Sequence, residues 1–168
     1  MSEEKQSVGG IVLGWWSSRI GNRDIAGNRA LAARLRRAGR VEVLAERAVI
    51  DFAGQLGIGA GSERLQRFVA TVRLLSEVRA HGGRTLARRI GGGDPLVSEL
   101  RFQRLLRAEG DEFEGLMRRA IRMVPDRKCN VASLGADLLF WDAPVRQRWC
   151  FEYFGAEAPA NNFKESQK

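Results

Sequence analysis

A chain of 168 residues with 44% hydrophobic and 29% charged side chains has a globular composition and is long enough to bury a core without disulfide or metal staples. Its 28 Lys and Arg outweigh 20 Asp and Glu for a formal charge of +8, and 24 of the 28 are arginine, whose planar fork pairs with phosphate and stacks on bases. That balance points to a polyanion, nucleic acid rather than a membrane surface; two cysteines, Cys129 and Cys150, and the lone His81 argue against a zinc site, and no metal, cofactor or small-molecule substrate is expected.

Residues 1–10, with Glu3 and Glu4, read as an N-terminal extension. The apolar patch Ile11 to Trp16 is too short to span a bilayer or form a secretory signal core, so the expected setting is the cytoplasm, with no membrane contact. Apolar spacing is helical almost throughout, and no alternating run marks a strand. Helices are predicted near Ile11 to Ile20, Asp24 to Ala38, Val41 to Leu56, Glu63 to Arg79, Thr85 to Ile90, Leu96 to Ala108, Asp111 to Val124, Val131 to Trp141 and Val145 to Phe154. The fold class is therefore all-α: two small helical lobes forming a compact bundle of about eight to nine helices.

On the second of these helices a turn of about 100° per residue sets Arg29, Arg36 and Arg40 along one stripe, with Arg37 beside it and Leu31, Leu35 and Ala38 opposite. No acid lies between Asp24 and Glu42. Neighbouring cations repel, and an external anion would relieve them. Downstream, the GIGAGS run from Gly57 to Ser62, Gly82-Gly83 and Gly91 to Gly93 supply turns that need left-handed backbone. They divide the chain between about Gly82 and Asp94, giving an N-terminal lobe at 11–83, a C-terminal bundle at 84–155 and a flexible tail at 156–168.

In the C-terminal part, Arg88 and Arg89 precede a helix that carries Arg101, Arg104 and Arg107 away from Phe102, Leu105 and Leu106. The next helix buries Phe113, Met117, Ala120, Ile121 and Val124 and turns Arg118, Arg119 and Arg122 outward. Because Asp111, Glu112 and Glu114 open that helix and arginines close it, dipole complementarity explains these three as well as phosphate contact does. In the closing stretch Asp142 is an N-cap ahead of Ala143-Pro144. Trp141, Trp149, Phe151, Tyr153 and Phe154 read as core, with Arg146 and Arg148 on different sides of the helix. Enzymatic readings fare poorly: one histidine and scattered carboxylates offer little for proton transfer, and GIGAGS lacks the preceding strand that a dinucleotide loop requires.

TLARRI, then SELRFQRLLRAEGDEFEGLMRRAIRMV, then LGADLLFWDAPVRQRWCFEYF follow in an order and spacing that resemble the CasB family, the small subunit of the type I-E CRISPR Cascade complex. The matching positions are Thr85, Leu86 and Arg88; Glu99, Arg101 and Phe102 with Leu105 to Ala108; Arg118-Arg119; and Leu138, Trp141, Arg146, Trp149, Glu152 and Tyr153. The resemblance extends more loosely to the Trp15-Trp16 and ALAARLRRA segments and covers about Ile11 to Gly155. It implies a non-catalytic subunit present as a pair of copies, beside a large subunit, backbone subunits, a guide RNA and both target DNA strands. In that family a basic surface holds the displaced non-target strand and helps stabilise the R-loop. Carried onto this chain, the role falls first to Arg101, Arg107, Arg118 and Arg119, with Arg88, Arg104, Arg122 and Arg146 behind them. Arg34, Arg36 and Arg37 would face guide-RNA backbone or a protein partner. Two other readings fit a basic helical chain: a free-standing DNA-binding regulator, which would read a duplex site, and an adaptor whose arginines meet acidic protein surfaces.

Overall fold

The computed structural model describes residues 7–155; the expected tail and most of the expected N-terminal extension lie outside them. The fold is all-α, with nine α-helices among the described residues. Ser7 opens α1 (Val8–Trp16) by accepting the Gly10 N–H at 3.0 Å, and a π-helical turn, Ser17–Gly21, follows. Next come α2 (Ala26–Arg37), a 3-10 turn at Glu42–Ala45, α3 (Arg47–Leu56) and α4 (Leu65–Leu75). The C-terminal half holds α5 (Leu86–Ile90), α6 (Glu99–Arg107), α7 (Gly110–Met123), α8 (Val131–Leu139) and α9 (Ala143–Tyr153). Side-chain oxygens of Thr85, Ser98, Asn130 and Asp142 accept the orphan N–H groups of α5, α6, α8 and α9, each cap contributing about 1 kcal/mol. Gly57, at φ 71°, takes the left-handed turn that ends α3 and lets the Ile58 N–H reach the Ala53 carbonyl at 2.9 Å.

One predicted helix is broken. Val41 to Leu56 is a 3-10 turn followed by α3, because Glu46 between them is extended at φ −88°, ψ 125°. Val43, Val49 and Phe52 are all fully buried, and an unbroken α-helix would set Val43 about 120° from Val49 and about 180° from Phe52. A single straight helix could not turn all three to the core; the break does.

Two-residue strands, β1 (Ala80–His81) and β2 (Lys128–Cys129), pair in parallel, where the sequence shows no alternation. They tie the chain leaving α4 to the chain leaving α7, and His81 Nδ1 accepts the Val131 N–H at 3.1 Å at the start of α8.

α1 packs on α8, α4 on both α7 and α8, and α5 on α9, and the buried side chains form one cluster from Val12 to Tyr153. The segments on either side of the glycine-marked division thus share one core. The α1–α8 approach is close: a Cβ at Gly135 would lie 2.3 Å from Val12 Cγ1. At the end of the chain, Trp141, Trp149 and Tyr153 are buried as expected, but Phe151 and Phe154 are 59% and 57% exposed. Tyr153 stacks on Phe102 at 4.0 Å between centroids, which fills the groove beside α6 and leaves Phe154 edge-on at its border.

Candidate nucleic-acid interface

Four of the arginines singled out in the sequence sit on the outer side of the α6–α7 pair. The apolar side of α6 buries Phe102 and Leu105, so Arg101, Arg104 and Arg107 are exposed. The apolar side of α7 buries Phe113, Met117, Ala120 and Ile121, leaving Arg119 exposed. Arg101, Arg104 and Arg119 line one shallow recess with Leu105, Leu116 and Met123. Arg104 makes a loose 3.4 Å contact with Glu112, whereas Arg101, Arg107 and Arg119 have no ion-pair or side-chain hydrogen-bond partner among the described residues. Unpaired guanidinium groups from two helices can bind successive phosphates without reading bases.

Arg118 and Arg122, on the same helix, pair with buried carboxylates, Arg122 while its side chain stays 50% exposed. Arg122 grips the Glu77 carboxylate with both arms of its fork, Nη2 at 2.9 Å and Nε at 3.1 Å. Arg118 Nε lies 3.3 Å from Glu77 and its Nη2 3.3 Å from Glu114, Arg127 reaches Glu77 at 3.2 Å, and Arg73 reaches Glu114 at 3.2 Å. The Glu77 side chain is fully buried and that of Glu114 nearly so. Asp126 and Arg127 adopt positive φ of 58° and 45°, a left-handed turn that costs non-glycine residues about 1–3 kcal/mol each and delivers Arg127 to this cluster. Further arginines crowd the end of α4: Arg23 donates to the Ser76 and Val78 carbonyls at 3.3 and 3.1 Å, and Arg36 to Ser76 at 3.3 Å. Burial and the neighbouring Arg36, Arg79 and Arg127 lower the Arg23 pKa below the ordinary guanidinium value, with Glu77 opposing.

The expected stripe is broken: α2 ends at Arg37 and Ala38 is extended at ψ 143°, so Arg40 lies beyond the helix and out of line with Arg29 and Arg36. Arg34, on α2, forms a two-pronged pair with Glu46 at 2.7 and 3.0 Å, and Arg40 reaches Asp111 and Gln66. Both acids lie beyond the three- and four-residue spacing of a helix turn from their arginines, so their roles appear only in three dimensions. Arg37 is exposed without such a partner, and Arg88 is half-buried on α5. Arg146, half-buried on α9, lines a cleft with Arg40 and Arg67. Arg67 did not stand out in the sequence; its spacing of three from Arg64 on a helical segment was the available signal. Arg64 lies 4.1 Å over the Phe140 ring and donates to the Leu139 carbonyl.

Neither cysteine is in a disulfide. Burial pushes the Cys129 thiol up to about 12, against a downward pull from Arg89, which keeps it protonated and poorly nucleophilic at neutral pH. Among the described residues no group of three or more His, Cys, Asp or Glu is placed to hold a metal ion, and no helix is long and apolar enough to cross a membrane.

Fold and surface together define a small all-helical protein with arginine-dressed outer helices and a buried carboxylate–arginine cluster. The sequence profile of the CRISPR-associated protein Cse2 family matches residues 31–154. CasB from Thermus thermophilus is 26% identical and superposes with a TM-score of 0.63 over 90% of this chain and 100% of its own. A second structure of a Cse2-family protein from Thermus thermophilus gives 26% identity and 0.64 over the same shares. A chain in the crystal structure of E. coli Cascade bound to a PAM-containing dsDNA target is 17% identical, with a TM-score of 0.57 over 89% of this chain and 95% of its own, and shares the fold. No curated protein matches the sequence. The chain belongs to the CRISPR-associated Cse2 family, the CasB family of type I-E Cascade.

Proposed function

We propose that this protein is the non-catalytic small subunit of a type I-E Cascade complex and that its α6–α7 arginine face holds the displaced non-target DNA strand. R-loop formation exchanges one duplex for another of similar stability, so a few backbone contacts to the freed strand tip the balance toward the open state in antiviral defence. The observation that carries this reading is the convergence of Arg101, Arg104 and Arg119 from two helices, with Arg107 on the same helix as the first two. Recognition there is by phosphate and so is independent of sequence.

In this reading Arg118 and Arg122 act from within: by fastening α7 to Glu77 they fix the helix on which Arg119 stands. Arg88 and Arg146 extend the basic surface. Arg34, Arg36 and Arg37 lie on α2, where guide-RNA backbone or a neighbouring subunit would meet them. The partners are the large and backbone subunits, a guide RNA, both DNA strands and a second copy of this chain.

The experiment is affinity purification of the tagged chain from its host, with mass spectrometry of co-purifying proteins and sizing of bound RNA. Several CRISPR-associated subunits with one discrete small RNA is the expected result. Recovery of the chain alone, or with heterogeneous chromosomal DNA, would overturn the assignment to Cascade.

A further inference from the structure

We propose that the cleft between α4, α7 and α9 is a pocket for one nucleotide of single-stranded nucleic acid, taken base inward with its phosphate at the rim. The proposal deepens the strand-holding function and rests on it.

The cleft has a volume of about 270 Å³ and is walled by Leu74, Phe113, Leu138 and Trp141, with Arg40, Arg67 and Arg146 around it. The Phe113 and Trp141 rings meet at 5.1 Å between centroids and 52° between planes. Of the four tryptophans, three satisfy their indole N–H: Trp15 on the Ala48 carbonyl at 2.9 Å, Trp16 on the Leu75 carbonyl at 3.1 Å and Trp149 on Asp137 at 2.8 Å. Trp141 is the exception. It is 4% exposed, and its buried Nε1 has no acceptor among the described residues. A buried donor without a partner is costly and calls for an explanation; here it belongs to a residue that lines a cleft.

The rim adds charge. Arg40 is engaged by Asp111 and Gln66, but Arg67 and Arg146 have no ion-pair partner among the described residues, and Glu109 is the one lining carboxylate. Gly110, at φ 57°, also lines the cleft where α7 begins without a side-chain cap; Asp111 and Glu112 in that first turn offset the partial positive charge of the helix N-terminus, so the positive charge of the rim comes from the arginines.

A ligand that answers all of this has a flat apolar body, a hydrogen-bond acceptor on it and an attached anion. A nucleotide has these three features: base carbonyl or ring nitrogen for the indole N–H, base face for the aromatic wall, phosphate for Arg67 and Arg146. An acidic side chain of a protein partner would meet the arginines but leave the apolar wall uncovered. The pocket lies at the start of the helix that carries Arg119, roughly 14 Å away along its axis, within reach of one strand.

The test compares binding of the full chain to single-stranded oligonucleotides of mixed sequence and to the same backbone with abasic sites, in deoxy and ribo forms, at fixed low salt. The expected result is about tenfold weaker binding of the abasic strand, in keeping with loss of one stacked base. That difference should vanish in Arg67→Glu/Arg146→Glu and shrink in Trp141→Phe, which keeps a ring and removes the N–H; the tighter of the two sugar forms identifies the strand held. The arginine pair, distant from the buried core contacts, guards against misfolding of the tryptophan variant, and melting of each is recorded. Equal binding of intact and abasic strands, lost on reversal of Arg101, Arg107 and Arg119, would overturn the pocket and leave the backbone-holding function standing. No binding of either strand would overturn the pocket as a preformed site, and displacement of the strand by a glutamate-rich peptide with no base dependence would assign the cleft to a protein partner instead.

Discussion

Glu77 is the residue whose removal the fold should feel most among its charged groups. Its carboxylate is fully buried and meets Arg118, Arg122 and Arg127, and breaking a buried ion pair from one side leaves uncompensated charge. Glu77→Gln is expected to lower stability by about 3 kcal/mol in urea unfolding, toward the low end for such pairs because all three arginines are partly solvated; a loss below about 0.5 kcal/mol would mean that water already satisfies the cluster. The Arg34–Glu46 pair behaves differently because it is on the surface. Hydrogen bonds from Arg34 hold the Glu46 carboxyl below its ordinary range, with burial opposing, and Glu46 raises Arg34 in return. A folded pKa below the unfolded one gives stabilisation that is present at neutral pH and lost as pH falls through the folded value. Arg34→Ala should flatten the acid limb of the stability–pH curve by less than about 1 kcal/mol; an unchanged limb in wild type and variant would show that the pair contributes nothing.

At the level of elements, local rules carried most of the helices and non-local ones did not. The faces of α6 and α7 could be read because their apolar residues recur at helical spacing, and Asp142 could be read as a cap because its carboxylate sits before a Pro in the first turn. The break at Glu46 was invisible because it depends on where Val43 and Val49 find their core, and the β1–β2 pairing because two residues carry no periodicity. Phe151 and Phe154 misled for a related reason: aromatic character signals burial only on average, and Trp149 and Tyr153 already fill that side of α9. The candidate site was legible as a set of arginines but not as a sorted one, since Glu77, Glu46 and Asp111 claim theirs from distant sequence. Helix contacts also set two expectations. Gly135→Val should destabilise by about 1–3 kcal/mol in thermal melting, because overpacking would push α1 from α8 at Val12; a neutral result would show that the pair can part freely. Trp149→Ala should cost roughly 3–5 kcal/mol, since the ring is 1% exposed and donates to Asp137; unaltered melting with lost assembly would make it an interface anchor instead.

For the whole molecule, the excess of positive charge divides into two populations. One is inward, around Glu77, Glu114 and the end of α4, where arginines serve as struts. The other is outward, at Arg101, Arg107 and Arg119 and along the cleft at Arg67 and Arg146, which have no ion-pair partner among the described residues, while Arg104 is held only loosely by Glu112. The central claim is that the outward group holds the displaced strand, and the most direct measurement is the affinity of assembled Cascade for target duplex as a function of salt, with native chain or with Arg101→Glu, Arg107→Glu and Arg119→Glu combined. The account predicts at least tenfold weaker binding and a salt slope reduced by about 2–3, with the melting temperature of the isolated chain unchanged. Equal affinity and equal slope in the native and reversed complexes would contradict it.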